Sequence, residues 1–232
     1  MGGPSLGPLL MSGRRDVWRI RAGLLCFAAT GPLSLGGLIL RGPITDQRAD
    51  PAGWAALAVS DHFQHAWLLL IPSLVLQILG WAALWGFTRG GRAEAPAFWG
   101  FVLGVIGNGF WLPSAGVLAL VSPALGALWQ SGVPAAVEVL NAGLFGPISL
   151  PIMAFSAVGL LASSALVAVA IWRDPRLPRW AAVPYALHAL CLTFAAPISY
   201  EVERMGGALL LISTAAVALA AWRAAGSEDR PG

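Results

Sequence analysis

The sequence predicts an all-α protein, a polytopic transmembrane helix bundle of about six spans with both termini cytoplasmic. Three observations carry that expectation. Of 232 residues, 57% are hydrophobic and 11% are charged, against about a quarter charged in soluble domains. Mean hydropathy is +0.73. The apolar residues also form long runs separated by short breaks rich in arginine. This composition excludes an ordinary soluble domain and a disordered chain. The basic pI of 9.5 arises from a net charge of only +3 spread over many loops, so no nucleic-acid partner is expected. All 14 basic residues are arginine, which removes any lysine Schiff-base chemistry.

A spanning helix needs about 20 mostly apolar residues. Six segments qualify, at 22–40, 65–87, 97–122, 147–172, 180–200 and 206–222. The breaks between them include Arg89–Glu94, Arg173–Arg179 and Glu201–Arg204. Two longer connections, 41–64 and 123–146, remain. The second is apolar enough for a re-entrant or interfacial helix, and a seventh span there would carry Glu138. With six spans, eleven arginines fall on the side of the termini and three (Arg41, Arg48, Arg204) on the other. The positive-inside rule therefore makes both termini cytoplasmic, and a seventh span would destroy this pattern. The apolar part of the first span is too long for a typical signal peptide. Residues 1–232 are read as one integral membrane domain, with flexible ends at 1–13 and 224–232.

Pro32, Pro72, Pro113, Pro147, Pro151 and Pro197 all fall in the outer halves of their spans, with Ser34, Ser73, Ser114, Ser149 and Ser199 close by. Proline frees a backbone carbonyl, which in lipid needs a hydroxyl, a water or a neighbouring helix. A ring of such kinks predicts an outward-facing cavity. Gly31–Leu35 and Gly146–Leu150 nearly repeat, which raises the option of inverted three-helix halves.

Polar residues follow the same geography. Asp61, His62 and His65 open the second span, with 61 and 65 one turn apart. Glu201 and Glu203 follow Tyr200, and Glu203 with Arg204 reads as a solvated pair. Gln77, Asn108 and His188 lie inside spans, where polar side chains are costly and point to function; His188 is near mid-membrane. The histidines stand at unequal depths, against a haem site. A zinc site from Asp61, His65 and Glu201 has suitable ligand types but no diagnostic spacing. Cys26 and Cys191 lie in apolar runs and suggest no disulfide. No metal or cofactor is expected.

No hydrolase, nucleotide-binding or diphosphate-binding motif is present. Acid–base chemistry by isolated carboxylates in an apolar pocket remains, because burial keeps a carboxyl protonated and tryptophan faces stabilise carbocations. In its size, its number of spans and its early and late acids, Asp61 and Glu201, the chain resembles the small integral-membrane terpene cyclases. Those proteins have seven spans where six are counted here. The resemblance implies a membrane enzyme that isomerises or cyclises an isoprenoid-like lipid in a bacterial cell membrane. Asp61 and Glu201 would exchange the proton, with His188 as polar anchor and His65, Trp67, Asn108, Trp111 and Tyr200 binding substrate. The alternatives are a small-molecule carrier or channel using the proline-ringed cavity, and a structural membrane subunit.

Overall fold

The computed structural model describes residues 7–194 and 199–227. Nine α-helices are present among them: α1 (Gly7–Arg41), α2 (Pro51–Ala58), α3 (Asp61–Phe87), α4 (Glu94–Gly116), α5 (Ser122–Gln130), α6 (Ala135–Phe145), α7 (Ser149–Arg173), α8 (Ala182–Phe194) and α9 (Tyr200–Ser227). A π-helical turn, Val117–Val121, joins α4 to α5, and a 3₁₀ turn, Arg179–Ala181, leads into α8. The expected all-α bundle is the fold. Five stretches are long and apolar enough to cross a membrane, as an integral membrane protein requires: Val17–Arg41, Asp61–Phe87, Glu94–Gln130, Ser149–Arg173 and Tyr200–Ala225.

The predicted span 180–200 is described only in part: α8 covers 13 residues, and residues 195–198 lie outside the described residues. Among the described residues, five helices meet the length requirement. The chain nevertheless passes through the bundle at α8. Near its start, Tyr185 meets Trp81, and near its end Cys191 meets Gly206. Within the ends, α1 is helical from Gly7 and α9 continues to Ser227; residues 1–6 and 228–232 lie outside the described residues.

The six passes close into a ring in chain order, α1–α3–α4–α7–α8–α9 and back to α1. Neighbours are antiparallel. Gly23 of α1 meets Ala83 of α3 while Gly37 meets Leu70; Arg21 stacks over Trp222 at one end of α1 and Arg41 meets Glu203 at the other. Small residues allow this closeness, which is how helices associate in lipid. A Cβ on Gly80 would stand 2.5 Å from the Phe27 ring, and one on Gly107 would stand 2.8 Å from the Leu160 backbone. Along α4–α7, Ser156 and Ser163 donate to the carbonyls of Gly107 and Gly100 at 2.8 and 2.6 Å.

The arginine-rich half of the ring is filled by Leu24, Phe27, Trp81, Val167, Ile171, Tyr185 and Val217. Trp81 Nε1 donates to the Tyr185 hydroxyl at 2.5 Å, and Gln77 bonds the same hydroxyl. At that end Arg176 holds Asp174, donates to the Phe87 carbonyl at 2.7 Å and lies over the Phe87 ring, which ties α7 to α3.

Segment 123–146 is neither a span nor a simple loop. The continuous run Glu94–Gln130 has 37 residues, about 55 Å, so α5 overshoots the hydrocarbon core. Gly132, at φ +93°, then turns the chain, with Val133 N–H bonding the Leu128 carbonyl at 3.1 Å in a Schellman closure. Helix α6 returns. Helix α2 starts at Pro51, and the Asp50 side chain accepts from Gly53 N–H at 2.9 Å, a standard N-cap. Helices α2, α5 and α6 enclose a second core of Trp54, Ala55, Ala58, Leu125, Val137, Leu140 and Leu144. They cover the end of the bundle opposite the arginine-rich one.

Among the described residues, the ring prolines do not enclose a common cavity. Pro32, Pro72, Pro113, Pro147 and Pro151 are all exposed, while Ser34, Ser73 and Ser114 are buried. Pro197 lies outside the described residues. Successive helix positions are about 100° apart, so a serine one or two residues from a proline occupies a different face. Ser73 bonds its own helix at the Leu70 carbonyl. The repeated pentapeptides also differ in structure. Gly31 lies within α1 against Leu211, whereas Gly146 is the extended residue ending α6.

Candidate functional site

Helix α3 buries Phe63, Ala66, Trp67, Leu70, Ser73 and Gln77, a stripe at helical spacing turned into the ring. Helix α4 faces it with Asn108, Ser114 and Ala115. Asn108 is 0% exposed. Its Nδ2 donates to the Leu74 carbonyl at 3.4 Å, but its Oδ1 has no partner. Trp67 is 6% exposed and its Nε1 also has no partner. It packs edge-on to Phe63 within a cluster of Leu38, Leu70 and Ala115, flanked by Trp111 and Leu118. Buried polar atoms are nearly always paired, and in lipid water does not make up the deficit. Four buried side-chain polar atoms lack a partner among the described residues: Trp67 Nε1, Asn108 Oδ1, Asn141 Nδ2 and Arg21 Nε. The first three belong to the covered half of the molecule.

The same part of α4 has an irregular backbone. Pro113 lies in α4 and Pro123 at the start of α5, with the π turn Val117–Val121 between them. Each proline lacks a ladder N–H, and π turns recur at functional sites. Leu118, in this turn, packs against both the Trp67 cluster and the core of the cover. Gln47 fastens the segment after α1 to α6 through Asn141 Oδ1 at 3.0 Å. The result is an aromatic layer with one unused donor and one unused acceptor beneath a helical cover. Trp67, Asn108 and Trp111, expected from the sequence as substrate-binding residues, belong to it.

The remaining expected site residues stand elsewhere. Asp61 and His65 are exposed on a stripe of α3 that continues through Leu68, Pro72, Val75 and Leu79, away from the ring. The position before Asp61 is the helix cap, but Ser60 Oγ bonds the Leu57 carbonyl and approaches His62 Nε2 at 3.3 Å. Glu201 is exposed and pairs with Arg204 at 3.3 Å. The expected Glu203–Arg204 pair is therefore replaced. Glu203 turns inward to Arg41, which carries a charge of opposite sign at the same end of the adjacent helix. Tyr200 donates toward the last carbonyls of α1, Leu38 at 3.2 Å and Ile39 at 3.4 Å, so it caps a helix.

His188 is buried, as its place in the span requires. Its Nδ1 contacts the Tyr185 carbonyl one turn back, and its ring meets the Tyr185 ring edge-on at 4.8 Å. Tyr185 reaches Gln77, and Gln77 lies 16 positions beyond Asp61 in α3, about 24 Å of helix. Asp61, Glu201 and His188 thus do not share a pocket. Among the described residues, no three His, Cys, Asp or Glu side chains gather as a metal site, so the Asp61, His65, Glu201 set is not assembled.

Sequence reasoning missed Trp81 and Tyr185 as partners of the buried polar residues. A signal was present: Tyr185 and His188 are spaced i,i+3, and Gln77 and Trp81 are spaced i,i+4, so each pair shares a helix face. Comparison with known protein families, with curated proteins and with solved structures gives no match.

Proposed function

We propose that the protein resides in a bacterial cell membrane and binds an isoprenoid-like lipid by its polar head, in the layer between α3 and α4. The observation that carries this reading is the pair of buried, unpartnered atoms, the Trp67 N–H donor and the Asn108 carbonyl acceptor. A hydroxyl can answer either atom; Asn108 bonds the Leu74 carbonyl, seven residues or about 10 Å along α3 from Trp67, so each needs its own polar group on the ligand. Trp111, Leu70 and Leu118 supply apolar surface for the chain. The α2–α5–α6 cover and the π turn at Val117–Val121 are the elements whose movement would open the layer.

Binding is the part of the isoprenoid reading that the geometry supports, because Asp61 and Glu201 are exposed at the rim. The test is photocrosslinking of the detergent-purified protein with a diazirine-bearing prenyl alcohol, competed by unlabelled prenyl alcohol. Labelling should map to α3 and α4 and fall severalfold in Asn108→Leu or in Trp67→Phe, which keeps an aromatic ring but loses the N–H. Labelling outside these helices, or equal labelling of both variants, sinks the reading. Incubation with a prenyl epoxide asks the catalytic question separately. A rearranged product lost in Asp61→Asn and Glu201→Gln would extend binding to acid-catalysed isomerisation or cyclisation.

A further inference from the structure

The opposite end of the molecule carries a different feature. Where α3 ends and α4 begins, a shallow groove of about 380 Å³ is lined by Trp85, Arg92, Glu94, Phe98 and Trp99. Arg89 lies over the Trp85 ring at 4.9 Å, so a second guanidinium borders the groove. Trp85 stacks on Phe101 at 5.9 Å and tilts against Phe98 at 5.1 Å, and Phe98 meets Trp99 edge-on. These rings form a connected wall running from the loop onto the outward face of α4, where Trp99 is 55% exposed. Glu94 also lines the groove, so two guanidinium groups stand there against one carboxylate. Its Oε2 accepts from Gly90 N–H at 2.8 Å, across a turn whose residue 90 has φ +74°, which favours glycine.

We propose that this groove binds an anionic phospholipid, with the phosphate between Arg89 and Arg92 and an acyl chain along Trp85, Phe98 and Trp99. Guanidinium forks match phosphate oxygens, and tryptophan sits at the headgroup level. The groove lies at the end of two membrane-length helices, on the arginine-rich side, where anionic lipid attracts basic residues. A free phosphate would use the arginines alone and leave the aromatic wall without a role. This site is independent of the one between α3 and α4.

The test places the full-length protein in nanodiscs of equal phosphatidylglycerol and phosphatidylcholine and reads co-purified lipid by native mass spectrometry. The wild type should retain phosphatidylglycerol several-fold over phosphatidylcholine. Arg89→Gln with Arg92→Gln should abolish that preference, and Trp99→Ala should weaken it. Arg173→Gln with Arg179→Gln removes the same charge from the same end outside the groove and should leave it intact. Millimolar inorganic phosphate should not displace the lipid. Equal retention of the two lipids, loss of preference in the Arg173/Arg179 control, or displacement by inorganic phosphate would each overturn the proposal.

Discussion

Arg41, the last residue of α1, and Glu203, in the first turn of α9, form an ion pair whose side chains are each only 7% exposed. The pair joins the ends of antiparallel neighbours and, with the Tyr200 hydroxyl on the Leu38 carbonyl, fixes where α9 begins. Each charge also suits its place. An acid in the first turn of α9 and a base in the last turn of α1 both complement the helix dipoles.

Removing one partner leaves an uncompensated buried charge, which costs about 3–5 kcal/mol. Glu203→Leu and Arg41→Met should each lower the thermal midpoint in detergent strongly. The combined Arg41→Met/Glu203→Leu change should recover most of the loss, since apolar replacements of a buried pair are often neutral. Additive losses in the double variant would show that the pair is not coupled.

The Trp81–Tyr185 contact gives a second outcome. Tyr185→Phe removes the acceptor of a fully buried indole N–H and a partner of Gln77 while keeping the ring against Phe27. Leaving a buried donor unpaired costs about 1–3 kcal/mol. Trp81→Phe should also destabilise, and the two together should cost less than their sum, as a double-mutant cycle in denaturant would read.

Hydropathy runs and arginine bias made the bundle legible, because lipid leaves only helices for such segments. The cover was legible only in part: 123–146 read as apolar enough for an interfacial helix, whereas α2 in the 41–64 connection was not foreseen. Helices α2 and α6 have 8 and 11 residues, below the length at which apolar content separates a span from a loop. Proline position along the chain was legible, but its face was not. Pro72 and Ser73 are adjacent in sequence, yet one is exposed and the other buried. Asp61 and His65 share a face, as their spacing requires, but nothing in that spacing says whether the face looks into the ring. Glu203 rather than Glu201 turns inward because of Arg41, a partner 162 positions away.

The α4–α7 contact allows a paired comparison of glycines two positions apart. A Cβ at Gly107 would press on the Leu160 backbone, whereas at Gly109 nothing lies within 4 Å. Gly107→Ala should therefore destabilise by forcing the helices apart. Gly109→Ala should be neutral or stabilising by up to about 1 kcal/mol, since alanine loses less backbone freedom in a helix. Equal losses at both positions, measured by thermal scans in one detergent, would mean that α4 and α7 do not pack at this register.

Orientation in the membrane can be tested at the two ends of the ring. Sequence reasoning assigns eleven arginines to the side of the termini, and the positive-inside rule would place that side in the cytoplasm. Ser131, after α5, and Pro175, after α7, are both exposed in loops at opposite ends of the bundle. Cys26 and Cys191 are the native free thiols, so alanine at both gives a silent background. On it, Ser131→Cys should react with a membrane-impermeant maleimide added to intact cells, and Pro175→Cys only after the membrane is opened. Neither change alters a charge, so the arginine asymmetry that sets insertion stays intact. The reverse labelling pattern would invert the protein, moving the α2–α5–α6 cover to the cytoplasm and the arginine-lined groove to the outer leaflet.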